Sequence, residues 1–402
     1  MFWNGQSRIL NANFRNPSFR NLSTTTPVKT TEGLKLLVTA GPNAQEAVGL
    51  WLFVSAAWVY SMVVLGGITR LTSSGLPMTD WKFTGRIPLS NDDWLIEFEK
   101  YKQSHEYKRM NKEMNLDDFK LMYWMEYAHI LWFRSLGVML GVPFSYFLSK
   151  RYITLRLGLR LSGLFALVAG QGLVGWLTTK SGSEEPKSEF AEPRVSFYRL
   201  AAHLTSTFVV YSGLFSTALS VAMPESPAES VAWVQQAAKV KRLVLPVSFI
   251  VGITAISGAF VAENGRAFSD SPSPTTSDGW VSEDMFVLKT QIQNFFDNIP
   301  TPQLVHQILT AASLFCVGGL WWSMKKLDMP PALRTLIGST TSIAAVQVFM
   351  GTAPLFSVVP ASLGTLNQAG ALTLLTLAIY LNHIVRQPSS LLRTLSFASK
   401  RA

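Results

Sequence analysis

The chain has 402 residues, of which 48% are hydrophobic and only 15% charged. Soluble chains carry about 25% charged residues, so lipid is the expected solvent here, in keeping with a mean hydropathy of +0.22. The single cysteine, Cys316, excludes a disulfide framework and any multi-cysteine zinc or iron–sulfur site within one chain; the formal charge of +10 is spread over loops between apolar segments, which excludes nucleic acid as a partner.

Residues 1–40 read as a mitochondrial presequence or a disordered basic tail. Arg8, Arg15, Arg20 and Lys29 all precede the first acid, Glu32, and the continuous apolar core of a secretory signal is missing. Eight stretches then reach membrane-spanning length, against a requirement of about 20 apolar residues: Ala47–Leu71, Met125–Leu148, Leu157–Leu177, Leu200–Ala222, Leu243–Ala262, Leu304–Met324, Leu336–Pro354 and Leu363–His383. The seventh is short and rich in Ser, Thr and Gly.

Loop charge tests that count independently. The loop after span one (72–122) has eight Lys/Arg against nine Asp/Glu, and the loop after span five (263–301) has two against six. On the other side, Lys150, Arg151, Arg156 and Arg160 follow span two with no acid, and Arg386, Arg393, Lys400 and Arg401 follow span eight with none. Basic loops thus alternate with acidic ones, as the positive-inside rule requires, and both termini fall on the basic side, the matrix if the leader directs import into mitochondria.

The two halves repeat one another. Span one ends in Gly66-Gly67-Ile68-Thr69-Arg70 and runs on to Asp80-Trp81; span five ends in Ser257-Gly258-Ala259-Phe260 and runs on to Asp278-Gly279-Trp280. His129 opens span two and His306 opens span six. Gln171 follows His129 by 42 residues, and Gln347 follows His306 by 41. Span four opens with Tyr198-Arg199-Leu200-Ala201-Ala202-His203, and span eight with Leu366-Asn367-Gln368-Ala369-Gly370. The pattern predicts an all-α polytopic membrane protein of eight transmembrane helices in two pseudo-symmetric four-helix bundles, residues 45–223 and 241–386. A linker (224–240) joins them and a basic tail (387–402) follows.

Ionisable groups within apolar spans are costly and usually functional. His129, His203 and His306 all lie in the first turns of even-numbered spans, so they share a depth near one membrane face; Asn367 holds the fourth equivalent position. Two histidines from antiparallel neighbouring helices can grip a haem iron from opposite sides. Each ring could instead be an ordinary interfacial histidine bonded to a carbonyl, but three at repeat-equivalent positions favour haem. Glu126 lies three residues before His129 and shares its helix face, where it could exchange protons or simply accept a hydrogen bond. Arg70, Arg134 and Arg199 are candidates for haem propionates. His105 and His383 lack repeat partners and read as ordinary.

The runs Gly66–Trp81, Glu126-Tyr-Ala-His129, Gln171-Gly-Leu-Val-Gly-Trp176 and Tyr198–His203 resemble those of the haem A synthase family in its mitochondrial form, with a likeness over roughly residues 45–385 that weakens in the second half. The resemblance implies oxidation of the C8 methyl of haem O to a formyl group, giving haem A for cytochrome c oxidase. It implies His129 and His203 as axial positions for the substrate haem, Glu126 as the catalytic carboxylate, and a haem b cofactor (heme b) on His306. Asn367 stands where the second haem b histidine belongs, so a more high-spin cofactor is expected. Ile130 and Gln307 stand where the family usually has Arg. The resemblance also implies a ferredoxin-type electron donor and the mitochondrial inner membrane; haem O synthase or a second copy of the chain is a further candidate partner. Two other classes compete: a non-catalytic haem-binding assembly protein descended from the enzyme, and a transporter, which would place its polar groups at the bilayer midplane rather than near one face.

Overall fold

The computed structural model describes residues 37–71, 87–104, 107–108, 111–183, 197–224, 231–264, 300–325, 327, 329–352 and 361–386. Residues 1–36 of the expected presequence, the basic tail, the runs to Trp81 and Trp280, and His105 lie outside the described residues; residues 37–40, expected to belong to the presequence, are instead part of the fold, with Val38 buried and bridged to Ile153. Backbone groups in hydrocarbon must be satisfied within the chain, so an open apolar chain has only the helix available. The regular structure among the described residues is accordingly helical, apart from one isolated antiparallel bridge, Val38–Ile153.

The helices are α1 (Pro42–Leu71), α2 (Asn91–Lys102), α3 (Leu116–Ser149), α4 (Leu155–Ser183), α5 (Phe197–Ala222), α6 (Val231–Asn264), α7 (Pro300–Met324), α8 (Pro331–Thr352) and α9 (Ala361–Ile384). Three start on proline, Pro42, Pro300 and Pro331, where a missing N–H costs nothing. Helix α6 begins inside the segment expected to be linker. Six helices (α1 and α3 to α7) are long and apolar enough to cross a membrane. The seventh and eighth expected spans are helices of 22 and 24 residues that fall short in apolarity. Their polar groups are matched internally: Thr340 and Thr341 donate to Leu336 and Ile337 carbonyls, and Gln368 donates to Val63 O of α1 (3.0 Å).

The repeat is visible in the packing. In the first half α1 packs most closely on α5 and also on α3, while α4 packs on α5; in the second, α6 packs on α7 and α9, and α8 on both of those. The halves meet through α1 against α9 and α5 against α6 and α9. Tyr60 OH lies 2.9 Å from Ala369 O, and Tyr211 OH lies 2.6 Å from Thr376 Oγ1 across that seam. Lipid is as apolar as leucine, so close packing and interhelical hydrogen bonds, rather than the hydrophobic effect, hold such helices together. One cluster around Leu52, Leu136, Leu157 and Leu214 fills the first half, and another around Val240, Val317, Ile337 and Leu381 fills the second.

Two local features position the site. Pro143 within α3 lacks the N–H that would bond the Met139 carbonyl one turn back. The Trp51 indole of α1 donates to that oxygen at 2.9 Å and so pins α3 to α1. Further along, Trp58 and Trp132 stack with ring centroids 4.1 Å apart, and Trp132 donates to Ser61 Oγ at 2.8 Å. The second feature is α2, which lies inside the segment expected to be the loop after span one. A capping box between Ser90 and Asp93 starts it. Its Trp94, Phe98 and Tyr101 pack on Phe119 and Met122, forming an aromatic cap on the first two turns of α3.

Candidate functional site

Each of the four repeat-equivalent ring positions faces a glycine on a neighbouring helix. A Cβ on Gly66 (α1) would lie 2.9 Å from His129 Cε1 (α3), and one on Gly258 (α6) would lie 3.1 Å from His306 Cε1 (α7). On the other helix of each repeat, a Cβ on Gly175 (α4) would lie 3.7 Å from His203 Cε1 (α5), and one on Gly351 (α8) would lie 4.0 Å from Asn367 Nδ2 (α9). The tight and the looser contact recur in the same order in both halves. Real Cβ atoms do not approach within 3.0 Å, so a side chain at position 66 would force the His129 ring to shift. By contrast, a Cβ on Gly163, Gly170, Gly318 or Gly319 would meet open space.

Depth is matched as well. His203, His306 and Asn367 are each the seventh residue of their helix, so they sit in the second turn rather than the first. His129 is the fourteenth residue of α3, because that helix continues two turns beyond the others to carry the aromatic cap. His129 and His203 lie within electrostatic reach of one another.

The rings differ in how they are held. Nδ1 of His129 and Nδ1 of His203 are buried without a hydrogen-bond partner among the described residues. His306 Nδ1 lies 2.8 Å from Ser257 Oγ, whose single proton goes to Thr254 O at 2.8 Å. The serine oxygen therefore accepts, His306 Nδ1–H donates, and the Nε2 lone pair is left to bind a ligand. His203 is held through its backbone instead: its carbonyl accepts from Thr207 Oγ1 at 2.8 Å and Gln171 Nε2 at 3.3 Å, and Gln171 also donates to Ser206 Oγ at 2.6 Å.

Glu126 and Arg134 are half-buried on α3, on either side of His129 in sequence. Counting back three residues from His306 gives Gln303, which is buried with its Oε1 unpartnered. The sequence reading missed this: the two halves share the ring and differ in the group one turn before it, acid in one and amide in the other. Arg199 donates to Leu177 O of α4 at 2.8 Å, so it ties the end of α4 to α5. Arg70 is the penultimate residue of α1, one turn after Gly66, and its side chain is outside the described residues. His383 is far from this group; it lies at the opposite end of the bundle, with Nε2 3.1 Å from Met223 O.

Among the described residues no group of three or more His, Cys, Asp and Glu converges as a bare-metal site. Paired imidazoles with bare nitrogens, set against glycines, suit a flat ligand gripped between helices instead. The fold and this end of it define a polytopic helical membrane protein whose two repeats present imidazoles at one depth.

Comparison with known proteins makes the assignment particular. The chain belongs to the COX15-CtaA family, described as cytochrome oxidase assembly protein, whose model matches residues 49–379. It is 62% identical over 388 residues to the heme A synthase COX15 of Arabidopsis thaliana, covering 95% of this chain and 84% of the relative. It is 37% identical to the Bos taurus protein of that name, over 86% of this chain and 83% of the relative. A heme A synthase–mitochondrial ferredoxin fusion protein of Schizosaccharomyces pombe is 35% identical, over 84% of this chain and 59% of the relative.

Proposed function

We infer that the chain is a haem A synthase: a membrane oxidoreductase that converts the C8 methyl of haem O to a formyl group. The observation that carries this reading beyond the family is the set of equivalent imidazole–glycine pairs, with a carboxylate one turn from the first ring. Haem fits the residues present. His129 and His203 offer buried, unpartnered nitrogens, and the glycines let a helix backbone approach each ring edge. These two histidines would hold the substrate haem, and His306, oriented by Ser257, would hold haem b. Bound haem supplies the redox chemistry at its iron.

The protein's own work is positioning and proton handling. Glu126 occupies the helix face of His129, where a half-buried carboxylate can take the protons released as the methyl is oxidised. Stacked Trp58 and Trp132, with the Trp51–Met139 bond, fix α3 against α1 and so fix His129 against Gly66. Arg70, Arg134 and Arg199 remain propionate candidates; Arg199 already spends one donor on Leu177 O and keeps others for a carboxylate.

The relatives support a mitochondrial, multi-pass membrane protein, and the loop charges support inner-membrane insertion with both termini in the matrix. The fused ferredoxin of the S. pombe relative supports a ferredoxin-type electron donor. Asn367 favours a second reading, a haem-binding assembly factor without turnover. Expression in a strain that lacks haem A, followed by haem extraction, separates the two. Haem A appears if the chain is the enzyme, and haem O accumulates if it only binds.

A further inference from the structure

At the end of the molecule opposite the imidazoles, a cleft of about 290 Å³ opens between α5 and α9. Ser216 and Ser220 line one side, and Ile379, Asn382, His383 and Arg386 line the other. The cleft straddles the seam between the repeats, and none of these six residues carries a carboxylate. Beside the cleft, Arg160 of α4 donates through Nη2 to Ser216 Oγ at 2.9 Å. Arg386 donates through Nη1 to His383 O at 2.7 Å and through Nη2 to Met223 O. Arg156 lies one turn before Arg160 on an exposed face. Among the described residues, none of these arginines forms an ion pair.

Among the described residues the charge does not balance locally. The C-termini of α5 and α9 each present about half a negative charge, while the N-terminus of α4 adds about half a positive one. Two guanidinium groups therefore leave more than one net positive charge at the rim of an apolar bundle. Each guanidinium has five N–H donors, and the bonds above use one on Arg160 and two on Arg386. The surroundings are lipid-facing: Leu155 and Leu159, beside Arg160, are 80% and 66% exposed, and Ile379 enters the cleft itself. Cations that converge on unsatisfied space at membrane-interface depth, next to exposed apolar side chains, match an anionic headgroup whose acyl chains continue along the bundle.

We propose that this cleft binds the phosphodiester headgroup of an acidic phospholipid, with Arg160 and Arg386 as its cationic contacts, so that one lipid bridges the two repeats. The site is independent of the haem assignment, since its residues lie at the other end of α4, α5 and α9.

The test uses the purified full-length protein in a neutral detergent, with thermal unfolding followed during titration of phosphatidylglycerol, phosphatidylcholine or inorganic phosphate. Phosphatidylglycerol is expected to raise the unfolding midpoint saturably, with the other two without effect. Arg160→Gln is expected to weaken the phosphatidylglycerol response about fivefold, the value of one basic residue near a charged headgroup. Arg160→Lys should retain most of it, and Lys325→Gln, a basic change outside the cleft, all of it. Because Arg160 is exposed, the lysine variant also separates loss of the contact from a folding defect. The proposal is overturned if phosphatidylcholine stabilises equally, if inorganic phosphate reproduces the shift, or if Arg160→Gln responds as the wild type does.

Discussion

The two repeats use one scaffold for different ends, and the contrast is sharpest within one helical turn. In the first, a carboxylate (Glu126) precedes His129, and both imidazoles keep a buried Nδ1 without a partner among the described residues. In the second, an amide (Gln303) precedes His306, a serine holds the ring, and Asn367 replaces the second imidazole. The glycines opposite are alike in all four places. What is common to both halves is therefore the glycine facing each position, and on the proposed reading what differs is the capacity to move protons and to grip iron from both sides. A repeat that only holds its ligand needs an oriented ring; one that changes its ligand also needs an acid–base group beside it.

The strongest way to break this contrast is to exchange the acid and the amide. Glu126→Gln is expected to lower haem A formation by a factor of about 10² to 10⁴, the usual worth of a positioned acid–base group, with haem content unchanged by absorption spectroscopy. Gln303→Glu should not transfer activity to the second half, since a single imidazole and a serine-bound ring are a different site. An equal loss of bound haem in Glu126→Gln would make that residue structural instead.

Next in size is Asn367, which the proposed reading puts at the second haem b ligand position. Asn367→His should convert a high-spin component of the absorption spectrum to the low-spin form of bis-imidazole haem, because imidazole binds iron far better than a carboxamide. An unchanged spectrum would mean that the second pocket takes its haem differently. Ser257→Ala removes the acceptor that orients His306, and is expected to weaken haem retention in the second half by about tenfold, as loss of such an outer partner does elsewhere. The first half should be unaffected, which selective loss of one of two haem signals would report.

The glycines give the finest grading. Gly66→Ala forces an overlap at 2.9 Å and is expected to cost about 1–3 kcal/mol, the range for overpacking. Gly258→Ala, at 3.1 Å, should cost less, while Gly175→Ala and Gly351→Ala, at 3.7 and 4.0 Å, should stay within about 0.5 kcal/mol. Thermal unfolding across the series would read the order; a flat series would mean that the rings move freely out of the way.

Much of this was legible before any coordinates. Hydropathy located the apolar helices, and the offset between His129 and Gln171, echoed by His306 and Gln347, revealed the repeat. Span seven and span eight were harder, because Thr340, Thr341, Asn367 and Gln368 dilute the apolar signal; Thr340, Thr341 and Gln368 are made tolerable in a bundle by their hydrogen-bond partners. Helix α2 went unseen because its Trp94, Phe98 and Tyr101 serve a small aromatic cluster rather than a long apolar face. Gln303 was overlooked because a glutamine in an apolar run attracts no attention until its counterpart is an acid.

The order of apolar and polar residues determined that this chain spans a membrane as helices, because an apolar solvent leaves the backbone no other way to pair its groups. It also placed three imidazoles and one asparagine at equivalent depths, since depth follows from counting along a helix. Which helix faces which ring was decided in three dimensions. Gly66 against His129, Ser257 on His306 and the arginine-lined cleft across the seam all join residues from different helices, and their pairing depends on how those helices pack rather than on any spacing along the chain.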